Sequence, residues 1–350
     1  MGVTLVLVSH MPFTAGFPTQ YEQRLVNVFD GELGVRIFFV LSGFLITFLL
    51  LREANEFDTI SLKRFYIRRA LRILPIYVVY LLVLALLSAL GLYSDTASSW
   101  IGAVTFTRNM IGAGRSATTQ LWSLAVEEQF YLLWPLTLST FALWRRPRAF
   151  VSVLLLVIVA CPILRAMLVS ATPGGSVVNR ILGSQSGLMF ADSLVVGCLA
   201  AWLVQRTAQA PAWLATPALR GLAVACIVGG RYAQMTIGPT AWLLAVVPSI
   251  QAVSIMFLIW ATAFEPPGLL ARLLNLRPVV LVGTLSYSIY VWQFLFVSHF
   301  VPKFSGVWTH DWKWWIFCAV AVSAASYYGL EKPFLTLKQR FSPTRSSVKT

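Results

Sequence analysis

This sequence predicts an all-α, polytopic membrane protein of about ten transmembrane helices with both termini cytoplasmic. Three observations carry that reading. Of the 350 residues, 58% are hydrophobic and only 11% charged, whereas soluble domains carry roughly 25% charged residues. The apolar runs are long and continuous, without the strict alternation of a closed β-barrel. The basic residues, finally, cluster in every second connection.

In chain order the expected spans are 1–17, 34–51, 74–92, 124–144, 149–169, 187–205, 219–237, 241–263, 278–300 and 313–330. One set of connections and the tail hold 18 of the 27 Lys and Arg residues, from Arg52, Lys63 and Arg64 to Lys349. The opposite set holds six: Arg24, Arg108, Arg115, Arg180, Lys303 and Lys313. The excess marks the cytoplasmic side. It also turns the net charge of +14 from a nucleic-acid signal into a topological one. A membrane-spanning domain over 1–331 would be followed by a basic cytoplasmic tail, 332–350, disordered along anionic headgroups. All four cysteines fall inside apolar runs and read as small core residues, since disulfides need an oxidising aqueous compartment. No Cys–His cluster suggests a metal site, and none is expected.

Four stretches could carry chemistry. In "GVTLVLVSHMPFTAG" His10 is the first ionisable side chain. It is either a packing residue or a general base, the role imidazole fills best near neutral pH. In "LWSLAVEEQFYLLWPL" the adjacent Glu127 and Glu128 open the fourth span. With Ser123 as N-cap, acids in a first helical turn would offset the macrodipole. Helix neighbours point about 100° apart, so that reading accounts for one carboxylate and leaves the other to act on a substrate or a partner. In "SLKRFYIRRALRILPIY" Arg64, Arg68 and Arg72 recur every four residues with Arg69 beside them, and Pro75 opens the next span. The cluster either anchors topology or binds phosphate, which guanidinium groups grip bidentately. In "GVRIFFVLSGFLIT" Gly34, Ser42 and Gly43 suit close helix packing. Arg36, Arg165 and Arg231 lie within spans and need partners; Asp192 could neutralise either Arg165 or Arg231.

Together these segments, with "GTLSYSIYVWQ" and "LEKPF" at 330–334, resemble in order the motifs of the acyltransferase-3 family of bacterial membrane O-acyltransferases. The resemblance implies transfer of an acyl group, commonly acetyl from cytoplasmic acetyl-CoA, to a hydroxyl of an extracytoplasmic glycan or lipid-linked saccharide, in the bacterial inner membrane. It implies His10 as catalytic base, Glu127 or Glu128 as the catalytic acid pair, and Arg68, Arg69 and Arg72 as contacts for the donor phosphates. Direct transfer and a covalent acyl relay both fit. Two departures stand out. The family's arginine eleven residues before this histidine would precede Met1, so an upstream start and a truncated first span are expected. Gln293 occupies a position where the family often has histidine; it cannot titrate near neutral pH, which shifts proton transfer to His10. A transporter of anionic or lipid-linked glycans is the alternative, although no internal repeat supports it.

Overall fold

The computed structural model describes residues 2–14, 17–18, 20–21, 29–111, 116–170, 187–207, 211, 216–237, 240–264, 269–296 and 312–341. Arg24, Arg115, Arg180, Lys303 and the tail beyond 341 lie outside them. Among the described residues every regular element is helical. The helices are α1 (Gly2–His10), α2 (Gly31–Phe57), α3 (Leu62–Ala89), α4 (Ala97–Val104), α5 (Leu121–Thr140), α6 (Pro147–Ser170) and α7 (Gly187–Arg206). They continue with α8 (Pro217–Thr236), α9 (Ala241–Ala263), α10 (Leu269–Leu274), α11 (Arg277–Thr284), α12 (Ser286–Trp292), α13 (Trp312–Ser326) and α14 (Lys332–Gln339).

Each apolar run assigned a span contains helix. Four helices are long and apolar enough to cross a membrane on that basis alone: Gly31–Phe57, Leu62–Ala89, Pro147–Met167 and Trp242–Ala263. The pair Arg277–Thr284 and Ser286–Phe296, bent by 55°, makes a fifth if it counts as one span. The chain is therefore a multi-pass membrane protein. The first expected span is short: α1 has nine residues and passes into a 3-10 turn, Met11–Phe13, that contains Pro12. Nine residues rise about 14 Å, half of a hydrocarbon core of about 30 Å.

Pro75, the expected opening of the third span, lies inside α3, which runs unbroken from Leu62; membrane helices tolerate an interior proline where neighbours satisfy the freed carbonyl. One expectation is corrected. The expected disordered tail begins as α14, a helix packed on α3.

The chain divides into two compact units. One comprises Met1–Val35, Ser61–Ala125 and Leu269–Thr350, the other Arg36–Ile60 and Val126–Gly268. In the first unit α12 packs against α1, α3 and α13. The Tyr77 and Tyr80 hydroxyls of α3 each donate to a backbone carbonyl, of Ala103 and Ala117, both at 2.6 Å. Thr96 caps α4 by accepting from the Ser99 N–H, which meets one of the donors a helix start leaves without a partner.

In the second unit α6, α7, α8 and α9 form a bundle. The α2–α7 crossing uses small residues, as expected of Gly43. A Cβ at Gly43 would strike the Leu194 carbonyl, and one at Gly197 the Val40 carbonyl. The intramembrane charges resolve as well. Asp192 pairs with Arg165 at 2.5 Å, and the pair is 0% and 1% exposed. Arg165 also donates to the Ala245 carbonyl at 3.0 Å, and Ser249 donates to Asp192 at 2.6 Å. Arg36, 4% exposed, lies over the Phe190 ring at 5.5 Å.

Removing one partner of a buried ion pair typically costs about 3–5 kcal/mol, whereas replacing both with apolar groups is often neutral. Asp192→Ala should therefore lower the unfolding temperature in detergent sharply, and Arg165→Met with Asp192→Leu should restore most of it. An unshifted melting curve for Asp192→Ala would remove the pair from the stability argument.

Candidate functional site

His10 is the last residue of α1, and glycines decide where that helix sits. A Cβ at Gly34 would lie 2.7 Å from the Gly2 carbonyl oxygen and 2.8 Å from a Val6 methyl, and one at Gly31 would lie 2.5 Å from Ser9 Oγ. The first turns of α2 thus admit α1 only because side chains are missing there. Gly34 does the packing work expected of it, against α1.

At the end of α1 the half-buried His10 ring meets α12 and the 3-10 turn Gln293–Phe296. Its Nδ1 lies 3.4 Å from Gln293 Oε1, and its ring stands edge-on to Phe294 with centroids 4.7 Å apart. In the tautomer protonated at Nδ1 this contact is an N–H donated to Oε1, and the basic nitrogen of that tautomer is Nε2. Gln293 is 0% exposed, and Trp315 Nε1 donates to its carbonyl at 3.2 Å. The residue that cannot titrate is therefore placed to orient the one that can. Sequence reading missed this pairing, because 283 positions separate the two residues; the only signal was Gln293 closing the "SYSIYVW" motif.

The same motif is tied to the start of α5. Gln120 donates to Tyr80 Oη at 3.1 Å and to the Val291 carbonyl at 2.6 Å, while the Tyr290 hydroxyl donates to the Gln120 carbonyl at 3.0 Å. Tyr290 also shares a short hydrogen bond with Ser123 Oγ.

That last contact overturns the capping expectation. The helix begins at Leu121, so Ser123 is an interior, buried residue rather than an N-cap. The first turn of α5 has no acidic residue. Glu127 and Glu128 fall beyond the first turn, where the macrodipole effect has faded. Both are half-buried. Glu127 has partners on α2 and one turn along α5. Ser42 Oγ donates to Glu127 Oε1 at 2.8 Å, and the Tyr131 hydroxyl lies 3.3 Å from Glu127 Oε2 and 3.0 Å from Ser42 Oγ. Trp134 Nε1, further along the helix, donates to Thr47 Oγ1 at 2.8 Å. Ser42 is thus more than a small packing residue. Hydroxyl donors hold a carboxylate in one rotamer, and Glu127 has two of them.

Arg68, Arg69 and Arg72 lie along the first three turns of α3, on the continuous helix their spacing implied. Arg68 Nη1 donates to the Phe341 carbonyl at 2.9 Å, Arg69 lies over the Phe65 ring at 5.8 Å, and Arg72 is exposed. A helix of 28 residues is about 42 Å long, against about 30 Å of hydrocarbon; the arginine-bearing end is the part that projects. His10 and the three arginines belong to the first unit, and Glu127 and Glu128 to the second.

Residues 1–330 match the family described as "Acyltransferase domain". The chain is similar to "Peptidoglycan O-acetyltransferase OatA" of Listeria monocytogenes, at 28% identity over 295 residues, which covers 78% of this chain and 46% of that protein. It is also similar to "O-acetyltransferase OatA" of Staphylococcus aureus strain NCTC 8325, at 30% identity over 292 residues, covering 75% and 45%. The chain therefore spans about half the length of these curated relatives. No solved structure matches it.

The Gln293 contact has a spectroscopic test. In protein labelled with nitrogen-15 at its three histidines, His10 should show the tautomer protonated at Nδ1. Gln293→Leu should shift that signal toward the Nε2-protonated form favoured by free imidazole. An unchanged His10 spectrum in the variant would refute the orienting role.

Proposed function

The chain belongs to the acyltransferase-3 family, and on that premise we propose that it is a membrane O-acyltransferase. It moves an acetyl group from cytoplasmic acetyl-CoA to a hydroxyl of an extracytoplasmic glycan. The Listeria relative is named as a peptidoglycan O-acetyltransferase, and a peptidoglycan hydroxyl is the acceptor proposed here. The further reading is of ten crossings with both termini cytoplasmic in the bacterial inner membrane, supported by the 18-to-6 division of basic residues. Family membership favours transfer over glycan transport.

The observation that carries the proposal is the His10 ring with Nδ1 turned to Gln293 Oε1, because an N–H donated there makes Nε2 the basic nitrogen. In the proposed reaction Nε2 removes the proton of the acceptor hydroxyl as its oxygen attacks the thioester carbonyl. The tetrahedral intermediate collapses with cleavage of the C–S bond, and the departing CoA thiolate takes the proton back from His10. Arg68, Arg69 and Arg72 hold the donor phosphates. Glu127, kept in place by Ser42 and Tyr131, binds acceptor hydroxyls. Holding both reactants converts an encounter into an oriented reaction and supplies much of the acceleration.

The test is transfer of radiolabelled acetyl from acetyl-CoA to peptidoglycan fragments by the purified protein in proteoliposomes. General-base catalysis contributes about 10²–10⁴-fold, so His10→Ala should lose that much turnover while CoA binding persists. Glu127→Gln should raise the acceptor KM. Arg69→Ala should weaken CoA binding, and more so at low salt, where charge is least screened. A folded His10→Ala protein with wild-type turnover sinks the base assignment.

A further inference from the structure

The arginine end of α3 has a neighbour from the far end of the chain. Helix α14 packs on α3, and Arg68 reaches across to the Phe341 carbonyl just past its end. In the last turn of α14 lies Lys338, half-buried. Burial and then the charges of Arg72, Arg69 and Arg68 bring its ammonium down to about 8. Neither segment carries an acid: residues 61–72 and 332–341 contain no Asp or Glu. On its own helix Lys338 has Lys332, and Arg340 follows at the C-cap. The π turn before α14 contributes Glu331, whose carboxylate accepts from Ser288 Oγ and also senses Arg72.

Arg68, Arg69, Arg72 and Lys338 are like charges on two acid-free segments, and Lys338 relieves their repulsion by giving up its proton. An arriving dianion would reverse the balance, since opposite charge favours the protonated amine. We propose that Lys338 is the fourth cation of an anion site formed with Arg68, Arg69 and Arg72, and that it takes up a proton when phosphate groups bind there. This rests on the donor reading of the arginines and adds to it a residue and a proton. The helix α14 becomes part of the site. The shared chemistry is a phosphate oxygen, supplied by the nucleotide portion of the donor or by an anionic lipid headgroup.

The sign follows from linkage. Below about pH 7 Lys338 is already charged, and binding takes up no proton. Around pH 8 about half a proton enters per anion bound, and above it the affinity falls as the pH rises.

The experiment is calorimetric titration of CoA into the full chain, held in phosphatidylcholine nanodiscs at pH 8 in two buffers of different ionisation enthalpy. A parallel arm uses phosphatidylglycerol nanodiscs with lipid retention read by native mass spectrometry. Wild type should take up protons. Lys338→Gln should weaken CoA about tenfold, as expected for loss of one charge-assisted contact, and abolish the uptake. Lys338→Arg should keep the affinity and also abolish the uptake, because arginine stays charged. CoA binding that is weakened by Arg69→Ala but unchanged in Kd and proton uptake by Lys338→Gln overturns this inference and leaves the donor reading intact. If CoA fails to bind while phosphatidylglycerol retention depends on Lys338, the anion site stands and the donor reading falls.

Discussion

Arg165 and Asp192, almost wholly withdrawn from solvent, are joined at 2.5 Å and bracketed by Ser249 and a backbone carbonyl. Hydrocarbon offers a polar group nothing, so each such group must be met from another helix. That requirement recurs through both units. Gln120 joins α3 to α12, Thr47 takes the Trp134 indole N–H, and Ser42 takes up the carboxylate of Glu127. In a lipid-soluble bundle apolar packing gives little preference for one neighbour over another. The polar contacts and the missing side chains at Gly31, Gly34, Gly43 and Gly197 are what single out one arrangement.

The proposed chemistry draws on the same constraint. A buried glutamine lies against one imidazole nitrogen, and two hydroxyls meet one carboxylate. In each case the neighbouring group is neutral and the group it meets is ionisable. The arginine cluster is built on the opposite principle. Like charges are concentrated where the helix outruns the hydrocarbon, and the energy held in their repulsion is released when an anion joins them. Burial, and then that repulsion, lower the affinity of Lys338 for a proton.

Much of this was legible in residue order. The helical class, the locations of the apolar segments and the single arginine face of α3 follow from composition and spacing. So does the candidacy of His10, Glu127, Glu128, Arg68, Arg69 and Arg72, which the family motifs carry. What was misread involved the ends of elements. Ser123 looked like a cap because a serine before an apolar run usually is one, yet α5 starts two residues earlier and buries it against Tyr290. The basic tail looked disordered because its composition is polar, yet residues 332–339 fold onto α3.

Chain order by itself determined the solvent, lipid, and the residue types capable of reacting, because hydropathy and helical periodicity are local properties. Tertiary structure alone decided which hydroxyls meet Glu127, which acid answers Arg165, that a glutamine stands beside His10, and that the helix bearing Lys338 packs on the one bearing the arginines. Those are choices among distant partners of similar chemistry. They depend on which helices approach closely enough for hydrogen bonds and charges to act over a few ångströms, and no local pattern encodes that distance.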